Sequence, residues 1–165
     1  MIAARVFQGL LAAALFVATL PANAAVSCSV STTGAMNFMT YDPLSAANAT
    51  VTVTLNCQNN PPPGNATVNW SMQLTNGSSG TCVGATGRTM RRQPALDATI
   101  GYNIYQNATS TVWGNAGCGT FPFGSFGLNG NQSFAVNQTM TGVAPSSQFV
   151  PAGNYSETLQ LTVTF

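Results

Sequence analysis

Tyr155-Ser-Glu-Thr-Leu-Gln-Leu-Thr-Val-Thr-Phe165 ends the sequence in a two-residue alternation with no later turn or strand to pair with. In an extended chain Leu159, Leu161, Val163 and Phe165 point to one face, and Ser156, Thr158, Gln160, Thr162 and Thr164 to the other. This is the pattern of a half-buried strand. A sheet that stops on such a strand needs its next strand from elsewhere.

At the opposite end, Arg5 precedes an apolar run from Gly9 to Leu20, followed by Pro21 and the small residues Ala22-Asn23-Ala24. This order predicts a secretory signal peptide over residues 1–24 and an exported domain over 25–165. The run is shorter than the roughly 20 residues of a membrane-spanning helix, so direct membrane insertion is not expected.

Only 4% of the residues are charged, against roughly 25% in ordinary domains. Without Arg5 the balance is Arg88, Arg91 and Arg92 against Asp42, Asp97 and Glu157. A neutral surface of Asn, Gln, Ser and Thr lacks charge repulsion and favours association. It offers no basic stripe for nucleic acid. The arginine cluster reads as a local structural or solubility feature.

Cys28, Cys57, Cys82 and Cys118 form an even set in an exported chain, which implies two disulfides. With no histidine and no closely spaced cysteine pair, a zinc site is not expected. Three pairings are possible. Cys28 with Cys57 and Cys82 with Cys118 is favoured, because the first pair joins neighbouring strands on inward-facing positions.

Those strands are read from Val26, Cys28 and Val30 alternating with serines, and from Val51, Val53, Leu55 and Cys57 alternating with Thr50, Thr52, Thr54 and Asn56. Between them, Met36 to Tyr41 is a short apolar segment closed by the turn opener Asp42-Pro43. Val68, Trp70, Met72 and Leu74 make another inward row, ended by Asn76-Gly77. A long polar loop to about Asp97, an alternation at Ile100, Tyr102 and Ile104, and a short strand at Thr111 to Trp113 are expected next. The glycine-rich stretch from Phe123 to Gly130 reads as irregular surface, and Phe134, Val136 and Met140 as one more strand. Seven or so short strands with turn chemistry between them predict an all-β immunoglobulin-like sandwich.

Catalysis finds little support. Without histidine or lysine, the usual hydrolytic triads and Schiff-base mechanisms lack their base or nucleophile. Asp42 belongs to a turn and Asp97 to a loop, which leaves no convincing carboxylate pair. Glu157 shares parity with Leu159; it either meets water at the strand's open end or bridges to Arg88 at a rim. Phe121, Phe123 and Phe126 are either core-packing rings or an apolar contact at a tip.

Phe38-Met-Thr-Tyr-Asp-Pro43, Val53-Thr-Leu-Asn-Cys57, Gly87-Arg-Thr-Met90, Tyr102-Asn-Ile-Tyr105, Val112-Trp-Gly114 and Gly153 to Phe165, in this order, resemble the spore coat protein U domain family. That family includes secreted coat proteins and subunits of archaic chaperone-usher pili. The resemblance implies an incomplete immunoglobulin-like sandwich lacking its final strand, completed by donor-strand complementation, with no cofactor. The implied partners are a periplasmic chaperone, an outer-membrane usher and other pilus subunits, with a cell-surface fibre or a secreted form as the destination. Leu159, Leu161, Val163 and Phe165 would line the acceptor edge. Only Ala25, Val26 and Ser27 precede Cys28 in the expected mature chain, so it is expected to receive a strand and not to donate one. A place at a fibre tip, or a coat protein outside a fibre, would fit. The alternative is a free secreted coat or carbohydrate-binding sandwich.

Overall fold

The computed structural model describes residues 26–39, 41–60, 64–107 and 109–165; the expected signal peptide and the three consecutive prolines lie outside them. Among the described residues nine strands occur in the order β1 (Val26–Thr32), β2 (Ala47–Asn59), β3 (Asn65–Leu74), β4 (Arg88–Gln93), β5 (Thr99–Gln106), β6 (Phe123–Asn129), β7 (Ser133–Ala144), β8 (Asn154–Ser156) and β9 (Leu161–Thr164). They form a six-stranded sheet, β1-β2-β7-β5-β4-β8, and a three-stranded sheet, β6-β3-β9. Every pairing is antiparallel.

β2 shows why these residues choose strands. Val51, Val53, Leu55 and Cys57 are buried in the core, while Thr52 and Thr54 face outward beside Thr139 and Asn137 of β7. β-Branched side chains suit a pleated, half-buried surface, and each fully buried Val or Leu contributes about 1.5–3 kcal/mol. Val68, Met72 and Leu74 of β3 answer from the other sheet, with Leu128, Ile100, Ile104 and Trp113 completing the core.

Two segments differ from expectation. The polar stretch before Asp97 contains β4, because Arg88 and Met90 both turn inward and β5 and β8 pair with its two edges. The glycine-rich stretch from Phe123 is strand β6, not irregular surface. Gly124 lies opposite Trp70, and a Cβ there would come within 3.1 Å of the indole, so the bare backbone is what lets the ring lie flat against the strand. Thr111 to Trp113 makes only isolated bridges, to Tyr105 and Thr120.

The terminal alternation is also not one strand. Its start, β8, closes the edge of the large sheet against β4; its end, β9, pairs with β3 in the small sheet. Residues 157–160 carry the chain across from one sheet to the other. Among the described residues, β9 pairs with β3 alone, which leaves its outer edge open.

Candidate functional site

The open edge of β9 borders a groove of about 750 Å3. Leu159 and Leu161 form one wall, while Met36 and Phe38, from the segment after β1, form the other. The floor includes Val51, Leu74, Ile100, Ile104 and Met140, which belong to the hydrophobic core itself. Further along the same seam, a second cavity of about 400 Å3 lies between Val26 and Cys28 of β1, Val68 of β3, and Phe165. The interior of the sandwich is therefore accessible along the line between β1 and β9.

Of the terminal row, Leu159, Leu161 and Val163 are half-buried and packed on the core, and Phe165 is 55% exposed. Sequence parity placed these four on one face. It did not single out Met36 and Phe38, whose positions depend on Gly142: a Cβ on Gly142 would collide with both side chains. That signal is a single glycine in a long strand, which periodicity alone reads as a weakness.

The wall is tied down by Glu157. Its carboxylate accepts hydrogen bonds from Tyr102 Oη at 2.5 Å, from the Ser78 backbone N–H at 2.5 Å and from Ser78 Oγ at 2.8 Å. The carboxylate occupies the space that a side chain at Gly77 would fill, and Gly77 itself has a φ of +74°, which glycine adopts without strain. Glu157 is thus half-buried and held by hydrogen bonds, and among the described residues it makes no ion pair with Arg88. Burial, and then the hydrogen bond to Glu157, push the Tyr102 phenol far above its usual pKa, so it remains a proton donor.

Arg88 lies inside the protein, at 0% exposure, not at a rim. Its guanidinium donates to Thr75 O, Trp113 O and Asn103 Oδ1 at 2.5–3.1 Å. Buried Asn103 passes the network on, donating to Cys82 O and Gly84 O. Desolvation lowers the Arg88 pKa from its ordinary value, with Tyr102 and Glu157 acting in the opposite sense. Charged residues are rarely fully buried without partners, and here backbone carbonyls and an amide serve in place of a carboxylate. The other two arginines stay outside; Arg92 pairs with Asp97 at 3.1 Å.

Cys28 joins Cys57, its direct partner across β1 and β2, and Cys82 joins Cys118. The second disulfide holds the loop before β4 against Gly114 and Asn103. Phe121 and Phe126 pack partly against the core, Phe126 stacking on Phe134 at 4.6 Å, and Phe123 projects at 76% exposure. Phe121 and Phe123 meet edge-on at 6.3 Å, and Phe123 and Phe126 are carried by strand β6 and not by a loop.

Fold and groove together define an immunoglobulin-like β-sandwich whose core is open along one seam. The chain matches the Spore Coat Protein U domain over residues 12–162 and belongs to that family. Among solved structures it is similar to a chain of the CsuC–CsuE chaperone-tip adhesion subunit pre-assembly complex from archaic chaperone-usher Csu pili of Acinetobacter baumannii, with a TM-score of 0.52 and 19% identity. The likeness covers 86% of this chain and 40% of that one, so this chain spans well under half the length of its structural neighbour. At that identity the comparison establishes the fold. No curated protein sequence matches the chain.

Proposed function

We propose that the protein is a non-catalytic structural subunit of a bacterial surface fibre assembled by the chaperone-usher pathway. It passes through the periplasm, where a chaperone strand fills the groove, and an outer-membrane usher then exchanges that strand for one from a neighbouring subunit. The observation that carries this reading is the groove floor: Val51, Leu74, Ile104 and Met140 are core residues that line an open cavity beside an unpaired strand edge. An open edge over exposed core is an aggregation hazard unless covered. A guest strand covers it by main-chain pairing and side-chain insertion. Four inserted apolar side chains would contribute on the order of 6–12 kcal/mol before ordering costs.

Adhesion and biofilm support follow as the role of such a fibre. A tip position is the place within it that we favour, by analogy with the tip adhesion subunit in the neighbouring structure. The test is production of residues 25–165 with and without a co-expressed periplasmic chaperone. Soluble protein recovered as a one-to-one chaperone complex, and aggregation or proteolysis without the chaperone, is expected. A stable, autonomously folded monomer would overturn the reading and favour a free secreted sandwich.

A further inference from the structure

We propose that the end of the sandwich bearing Met39, Leu44, Leu96 and Phe149 seats the folded domain of the same neighbour whose strand fills the groove. This rests on the strand-acceptor reading above. The four side chains are 81%, 84%, 52% and 84% exposed, respectively. They sit on loops at one end of the fold, where β2 and β5 begin and β4 and β7 end.

These loops are built to hold a shape. Tyr41 Oη donates to Pro145 O and accepts from the Gln148 N–H, while the Ser147 N–H donates to Pro43 O at 2.7 Å. The Gln148 side chain bonds both the N–H and the C=O of Gly101. Asp42 Oδ1 accepts from the Leu44 N–H. Three of the loop residues, Met39, Leu96 and Ser147, hold left-handed backbone conformations, with φ of 57°, 55° and 67°. For residues with side chains such conformations are strained and persist where the surroundings impose them. Here they accompany apolar side chains directed into water. Apolar side chains carried on preorganised loops are what a partner meets without a large ordering cost.

Strand direction selects the occupant. Every ladder between the nine described strands is antiparallel. A guest that extends the small sheet in the same sense runs opposite to β9, entering near Phe165 and leaving past Leu159. The chain that follows the guest strand in its own protein emerges at the loop end. The two surfaces are continuous there, since Met39, Tyr41, Pro43, Gln148 and Val150 also line the groove. Within these loops the charged side chains are already engaged, Asp42 by Leu44 and Asp97 by Arg92. The complementary face is therefore an uncharged apolar patch close to the guest strand of a second domain.

The test places a photo-crosslinking phenylalanine analogue at position 149, and separately at position 165, in cells assembling whole fibres. Position 165 is expected to capture a neighbouring subunit through its strand, and position 149 the folded domain of that same subunit, as read by mass spectrometry of the linked peptides. If 165 captures a subunit while 149 captures the chaperone, lipid or nothing, the docking inference is overturned and the acceptor reading stands. If neither position captures a subunit, the acceptor reading falls, and the inference with it.

Discussion

Tyr102 Oη donates to Glu157 Oε2 across 2.5 Å, joining central strand β5 to the crossover that carries the chain from one sheet to the other. Tyr102 lines the groove and packs edge-on against Phe38 at 5.5 Å, so the same ring steadies both walls. One hydrogen bond therefore couples the shape of the groove to the placement of β9.

Tyr102→Phe is expected to destabilise the domain by about 1.5–3 kcal/mol at neutral pH, the usual worth of a hydrogen bond to a charged acceptor. The pH dependence has a definite sign. Burial, followed by the Glu157 bond, raises the folded-state pKa of Tyr102 above its ordinary value. An unfolded tyrosine loses its proton near pH 10. The Tyr102 contribution is thus complete below about pH 10 and declines as pH rises further, because the unfolded chain then binds fewer protons than the folded one. Urea titrations of the chaperone-free or peptide-filled domain from pH 7 to 11 should show this alkaline loss in the parent and a shallower one in Tyr102→Phe.

Arg88→Met should cost about 1–3 kcal/mol for each buried acceptor that loses its donor. The substitution strands the carbonyls of Thr75 and Trp113 without their donor, while Asn103 Oδ1 keeps the Ile104 N–H. Arg88→Lys is expected to rescue little, since an ammonium cannot reproduce the planar fork that reaches three acceptors. Chemical denaturation midpoints, or protease resistance of the chaperone-bound form, would measure both. Parental stability in Arg88→Met would mean that the network is dispensable.

The contrast between Leu55 and Arg88 shows how far the sequence was readable. Leu55 lies in a strict alternation, and burial follows from its parity; the cysteine rows on β1 and β2 and the terminal row to Phe165 follow likewise. Arg88 is buried by tertiary partners scattered from Thr75 to Trp113, and a charged residue in a polar stretch carries no local sign of this. The same applies to the groove. Its β9 wall was legible from periodicity, but its opposite wall depends on Met36 and Phe38 settling over Gly142, a relationship between distant segments. Reading the last eleven residues as one strand failed for a similar reason, because Glu157 is captured by Tyr102 and Ser78 at the crossover.

Loss of the Cys28–Cys57 disulfide in a Cys28→Ser, Cys57→Ser double variant should lower stability by about 3–4 kcal/mol, the chain-entropy value for a loop of this size. The cysteines are 29 residues apart and directly opposite in register. Because Cys28 also borders the second cavity beside Phe165, groove filling should weaken along with the fold. Paired measurements of thermal unfolding and chaperone capture would show both effects. Unchanged unfolding in the double variant would argue that strand pairing alone holds β1.

Leu161→Asp tests the groove most directly. Leu161 pairs with Leu74 across β9 and β3, is half-buried, and lines the cavity whose floor is the core. An aspartate there places a carboxylate against Leu74 and the apolar floor, where no positive partner lies among the described groove residues. Desolvating that charge on strand insertion costs several kcal/mol, comparable with the gain from two or three inserted apolar side chains. The expected outcome is loss of co-purification with the periplasmic chaperone, with Thr162→Asp, on the opposite face of the same strand, retaining it. A complex formed as well by Leu161→Asp as by the parent would show that the guest strand does not lie along β9.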